Sequence, residues 1–221
     1  MDIYAKALAR IHAELESSDS LPSDRGELSA EAIEKIESLA QRFGFTTDTV
    51  IEAVLTNLVA YRVIVGRNPS KMDYYEDALK EFLEALKCVK SVEKLPKGGK
   101  NSLHVRAGKI VSNDEKLPHL KSLDLKVEFN NGQIAYVIHK HTTGSGGAQK
   151  SAYRDAMLTL EEGLGVGGQR LLNLIAVFDG DYYQMKNRAG LNKIQESKAQ
   201  HPEALICSYS DFEKETKPIW E

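Results

Sequence analysis

The segment Leu123–Asp155, LDLKVEFNNGQIAYVIHKHTTGSGGAQKSAYRD, constrains the fold more than any other part of the chain. Leu123 to Phe129 alternates apolar with polar residues, Asn130-Asn131-Gly132 supplies residues suited to positive φ, and Ile134 to Ile138 resumes a strand-like run. That is the pattern of a β-hairpin. A glycine-rich stretch then leads into a helix from about Gln149 to Glu162. Residues equidistant from Asn131 face each other across the ladder, so Asp124 pairs with Ile138, and Lys140 lies two further along on the same face.

The elements on either side follow from periodicity. Before residue 90 apolar residues fall at helical spacing. Ile3, Ala7, Leu8, Ile11 and Leu15 mark one helix; Ser29 and Gly44 bracket a second through Ile33, Ile36 and Leu39. Thr47 or Thr49 opens a more apolar helix through Val59, ended by Gly66 and Pro69, and Ser70 to Val89 reads as a fourth. Beyond residue 100 the period becomes two. Leu103, Val105 and Ala107 alternate with polar residues, and Lys109-Ile110-Val111 extends that strand or begins its return. Leu171 to Phe178 is a nearly continuous apolar run, as expected of a strand covered on both faces. A helix near Leu191 to Ala199 and a strand from Ala204 to Tyr209 follow. Three antiparallel strands and a helical crossover to a buried strand predict an α/β fold, a mixed central sheet flanked by helices, with a helical N-terminal region. The expected division is residues 1–69 as a helical N-terminal region and 70–221 as the core.

No apolar run approaches the ~20 residues that span a bilayer, and the first residues lack the basic and apolar pattern of a secretory leader. Cys88 and Cys207 stand far apart without metal-ligand spacing and read as buried thiols. The expectation is a cytoplasmic protein without membrane contact. A net charge of −3 neither favours nor excludes nucleic acid, because phosphate binding depends on where cations cluster. Clusters stand at Lys94–Lys100, at His139-Lys140-His141 and at Lys186-Asn187-Arg188.

A carboxylate at Asp124 suits Mg²⁺, and a lysine beside it can orient the attacking water and offset phosphate charge. Spacing alone equally allows an ordinary hairpin with an exposed Asp and Lys. The strand order, together with Leu123-Asp124-Leu125, Lys140, Gly144-Ser145-Gly146-Gly147-Ala148-Gln149 leading into Tyr153-Arg154-Asp155, and Leu174 to Tyr183, resembles the PD-(D/E)xK nucleases. Within that restriction-endonuclease-like superfamily the likeness is to type II restriction endonucleases, over about residues 70 to 210. The resemblance implies Mg²⁺, double-stranded DNA, a homodimer on a palindromic site in a prokaryotic cytoplasm, residues 1–69 as a dimerisation or DNA-grasping arm, Asp124 as the first metal-binding acid and Lys140 as the catalytic lysine.

One departure is serious. Ile138 stands where a second acid is expected, and an alkyl group cannot ligate Mg²⁺. Glu128 shares the strand face but lies roughly 13 Å from Asp124, at ~3.3 Å per residue. An acid displaced to another element is one explanation: Asp155 on the following helix, or Glu76, Glu81 and Glu84 on the preceding one, with Asp155 and Glu81 as metal candidates. Ligation or water positioning by His139, His141 or Gln149 is a second, and loss of cleavage with DNA binding retained is a third. His139 points to the sheet face opposite Lys140 and reads as packed or bonded to backbone. The loop Thr142–Gly147 is either a flexible connection or a phosphate cradle at a helix N-terminus. Lys97, Lys100, Ser145, Lys150 and Arg154 are candidate DNA contacts. Base-reading chemistry is expected between Asp181 and Gln200, from Lys186, Asn187, Arg188, Asn192, Lys193 and Gln195.

Overall fold

A computed structural model describes residues 3–16, 21–64, 73–112, 121–142, 147–164 and 172–221, with backbone alone at 14–16, 62–63 and 147–149. The chain divides into two compact units, residues 1–78 and 79–221.

In the first unit α1 spans Ile3–Glu16 and α2 spans Ala30–Phe43. Ser29 caps α2, its Oγ accepting from Ala32 N at 3.2 Å. Gly44 ends it at φ +72, where only glycine is unstrained. Helix α3 (Thr47–Thr56) opens at Thr47, one of the two expected starts, and Thr46 caps it, its Oγ1 accepting from Thr49 N. The expected single helix through Val59 is broken at Asn57, because its Oδ1 accepts from Ala60 N at 2.9 Å and opens α4 (Leu58–Ile64) as a new cap. Ala32, Ile36, Ala40, Val50, Ile51 and Val54 form the core of this unit. A short turn at residues 44–46 joins α2 to α3.

Helix α5 covers Tyr74–Glu84, shorter than the expected 70–89. The division between units falls inside it, later than the sequence suggests, since its Leu79 and Leu83 are wholly buried and Phe82 meets Tyr209 edge-on at 5.2 Å. Val89–Lys94, expected to close the helix and open a basic loop, is instead strand β1. Next come β2 (Leu103–Arg106), β3 (Lys109–Ser112), β4 (Leu125–Phe129) and β5 (Ile134–His141). Then follow α6 (Gly147–Glu162), β6 (Leu174–Asp179), α7 (Asp181–Gln184), α8 (Lys193–Gln200), β7 (Leu205–Cys207) and α9 (Phe212–Trp220).

Among the described residues the main sheet runs β1-β4-β5-β6-β7, and β2-β3 pair as a separate ribbon. The first three strands of the main sheet are antiparallel and the last three parallel. The mixed α/β fold is therefore as expected, but β1 replaces residues 103–111 as the third antiparallel strand. The ribbon turns at Ala107-Gly108, both at positive φ. The turn between β4 and β5 has its positive φ at Gly132, with Phe129 N donating to Gln133 O at 2.9 Å.

Pairing of Leu125 with Val137 fixes the faces. Leu125, Val127, Val137 and His139 share one face with Ile175 and Val177; Lys126, Tyr136, Ile138 and Lys140 share the other with Ala176 and Phe178. The second face packs Ile138, Ala176, Phe178 and Ile206 against Ala156, Met157 and Leu160 of α6 and Val105 of β2. All of β6 is buried, in keeping with its apolar run.

Candidate active site

Asp124 sits just before β4 and extends the ladder on both sides. Its N–H donates to Val137 O, and its carbonyl accepts from Leu95 N, each at 2.9 Å. The register carried back one residue from Leu125–Val137 places it opposite Ile138, as the sequence spacing predicts. Its side chain is buried, with Oδ2 accepting from His139 N at 2.7 Å and from Lys140 Nζ at 3.4 Å. Lys140 Nζ also donates to His139 O at 2.9 Å. One carboxylate oxygen and one carbonyl oxygen thus converge on a single ammonium, at an end of the sheet face where the lysine side chain keeps 21% exposure. An oxygen-lined point that favours a cation is the chemical content of this arrangement.

Ile138 is 1% exposed and packs with Leu95, Val105, Leu123 and Ala156. The position expected to hold a second acid is a core position. Glu128 stands at the far end of β4, where Lys90 Nζ and Ser91 Oγ bind it; the Lys90 hydrogen bond, opposed by partial desolvation, holds its carboxyl below the usual range.

Asp155 is buried on the inward side of α6, next to Ala156 of the shared core. Its carboxylate lies 3.8 Å from Lys121 Nζ and 3.8 Å from the Arg154 guanidinium. Both contacts are loose. Lys121 escapes a sequence reading because only the fold brings it to Asp155 across intervening segments. Glu81 is exposed on α5, Glu84 pairs with Lys80, and Glu76 falls in the first unit. Among the described residues no three His, Cys, Asp or Glu side chains gather as a metal set. Mg²⁺ is ordinarily held by one or two carboxylates, with waters and phosphate oxygens completing its shell. The Asp124 carboxylate and the His139 carbonyl fit that sparse pattern.

The candidate DNA contacts separate into groups. Lys97 and Lys100 are exposed on a loop tied to the segment before Asp124, because Ser122 Oγ donates to Lys97 O at 3.1 Å. Lys150 and Arg154, four apart on α6, are exposed on one side of it. Ser145 and the rest of 143–146 lie outside the described residues, as does the side chain of Gln149.

The 184–200 stretch is built differently from a free base-reading set. Asn187 Oδ1 accepts from Ala189 N and Leu191 N, so the side chain organises its own loop. Asn192 and Gln195 form the capping box of α8. Lys193 Nζ bonds Glu196 at 2.8 Å and lies 5.9 Å from the Tyr153 ring centroid; that bond chiefly raises the lysine and lowers the acid. Lys186 and Arg188 are exposed on this loop. In the first unit the exposed residues of α3 include Asp48 and Glu52 and no Lys or Arg, which opposes phosphate contact there.

Asp179 and Gly180 close β6. Thr142 N donates to Asp179 O at 2.9 Å, and a Cβ on Gly180 would sit 2.1 Å from Thr142 O. Glycine here lets the end of β5, and with it Lys140, lie against β6. No helix among the described residues is long and apolar enough to cross a membrane. Comparisons of the chain with protein-family models, with curated proteins and with solved structures return no match.

Proposed function

We propose that this chain is a Mg²⁺-dependent endodeoxyribonuclease cutting a specific duplex sequence, as its resemblance to type II restriction endonucleases implies. The observation that carries the reading is the convergence of Asp124 and His139 O on Lys140 Nζ at one end of the sheet. Bound Mg²⁺ supplies an activated water and polarises the scissile phosphate. Asp124 and the His139 carbonyl would hold it, with Asp155 as the displaced second acid. Lys140, whose ammonium rests on the same two oxygens, would orient the attacking water and offset the charge growing on phosphate. Lys97, Lys100, Lys121, Lys150 and Arg154 offer cations for the backbone of the duplex. A homodimer on a two-fold-symmetric site follows from the same resemblance.

A second reading, a DNA-binding protein that does not cut, is favoured by one observation: Ile138 is packed in the core and leaves Asp124 without an acid across the ladder. Incubating supercoiled plasmid with the chain and with Asp124→Ala, with and without Mg²⁺, separates the two. Mg²⁺-dependent nicking or linearisation lost in the variant supports the nuclease. Salt-sensitive binding without cleavage supports the second reading.

A further inference from the structure

We infer that His139 and Asp179 form a positioning pair, buried behind the candidate catalytic face, that fixes the main chain on which Asp124 and Lys140 both rest. The inference deepens the nuclease reading and rests on it.

His139 works with both of its faces. Toward the candidate site its N–H donates to Asp124 Oδ2 at 2.7 Å and its carbonyl accepts from Lys140 Nζ at 2.9 Å. A rotation of this one peptide segment therefore moves the carboxylate and the ammonium together. Its imidazole points through the sheet to the other face, where Nε2 lies 3.7 Å from Asp179 Oδ2, the two side chains being 2% and 3% exposed. Asp179 is anchored in turn, since its Oδ1 accepts from Tyr209 N at 3.0 Å, beyond β7. Its carbonyl takes the Thr142 N–H, holding the end of β5 from the main-chain side as well. A polar pair in an otherwise apolar layer costs desolvation that a hydrophobic pair would not. Its return here is orientation: a leucine at 139 packs and keeps its main-chain pairing to β6, but its side chain then gives no polar contact to Asp179. Misplacement of reacting groups by about 1 Å costs on the order of 100-fold in rate.

The test compares Asp179→Ala with Asp179→Asn, which keeps an oxygen for Tyr209 N–H and a polar atom toward the imidazole. Single-turnover cleavage of supercoiled plasmid, filter binding of the same plasmid without divalent cation, and amide hydrogen exchange are read together. Asp179→Ala is expected to cut about 100-fold more slowly, with plasmid affinity within about 2-fold; Asp179→Asn stays within about 5-fold of the parent in rate. Exchange at the His139 amide accelerates at least ~10-fold in Asp179→Ala, while Ala176 and Val177 inside β6 keep their protection. Equal loss of affinity and rate, uniform acceleration across β6, or an unchanged His139 amide overturns the inference. Should Asp179→Ala not fold, His139→Gln, which removes the imidazole and keeps the peptide, is read by the same criteria. A parent chain that leaves plasmid intact defeats the nuclease reading, and the exchange pattern still decides the pair.

Discussion

Restoring the missing acid by Ile138→Glu is predicted to unfold the site before it improves it. Ile138 is 1% exposed, and its side chain contributes roughly 1.5–3 kcal/mol of burial that a carboxylate forfeits. The new charge enters among Leu95, Val105, Leu123 and Ala156. An unpaired buried charge adds about 3–5 kcal/mol. Register places it opposite Asp124, a like-charge pair across the ladder, with Lys140 the compensating cation on that face. Allowing for relief from Lys140, we expect a net loss of about 4 kcal/mol at pH 8 without divalent ions, against a typical total of about 5–15. At about 2–4 °C per kcal/mol for a chain of this size, Tm falls by roughly 8–16 °C. Ile138→Val, which changes volume alone, costs only about 0.5–1.5 kcal/mol. If the introduced carboxylate and Asp124 then share an ion, Mg²⁺ at about 100 times its Kd returns about 2.7 kcal/mol. The assay is thermal unfolding of the three proteins in EDTA and in Mg²⁺. A glutamate variant melting within about 2 °C of the parent in EDTA, less than the shift expected for 1 kcal/mol, would refute the packing described for residue 138.

Three further outcomes follow from other contacts. Gly180→Ala places a Cβ 2.1 Å from Thr142 O at φ +94, so urea unfolding should show a loss of about 3 kcal/mol or more; a loss under about 1 would contradict that geometry. Burial pushes the Cys207 thiol well up, helped by the nearby Asp179 charge, so a disulfide reagent should label it in guanidinium and not in the native protein; rapid native labelling counts against the buried strand β7. The Lys193 hydrogen bond holds the Glu196 carboxyl low, so its stabilisation is present above the unfolded carboxylate value near about 4.3 and fades as pH drops through the lowered folded value. Being largely solvent-screened, it amounts to no more than about 1 kcal/mol at pH 7; a Glu196→Gln deficit equally large at pH 3 would contradict the pairing.

Local chemistry explains which elements are legible in the sequence. Ser29, Gly44 and the Asn130–Gly132 turn act on their immediate neighbours, so the bounds of α2 and the Asp124–Ile138 register follow from short segments. Lys140, beside Asp124, follows from the same register. Strand β1 is hidden because VKSVEK is half-exposed, charged and irregular at Val89–Ser91, with no clean period of two. The ribbon β2–β3 alternates like a sheet strand, and only tertiary packing sends it to a sheet of its own. Helix α9 is hidden because Pro218 lies within it, a residue usually confined to the first turn. The meeting of Lys121 with Asp155, and of His139 with Asp179, depends on contacts between elements far apart in the chain, which no local pattern encodes.

The most direct test of the nuclease reading is plasmid cleavage by Asp124→Asn, chosen because the amide keeps an acceptor for the buried His139 N–H and so spares the fold. The parent chain should convert supercoiled DNA in Mg²⁺ and not in EDTA. The variant, melting close to the parent, should be slower by about 10²–10³-fold, the usual consequence of losing one preorganised electrostatic group. Cleavage by Asp124→Asn at the parent's rate, or intact plasmid with the parent chain under every divalent cation tried, would contradict the account.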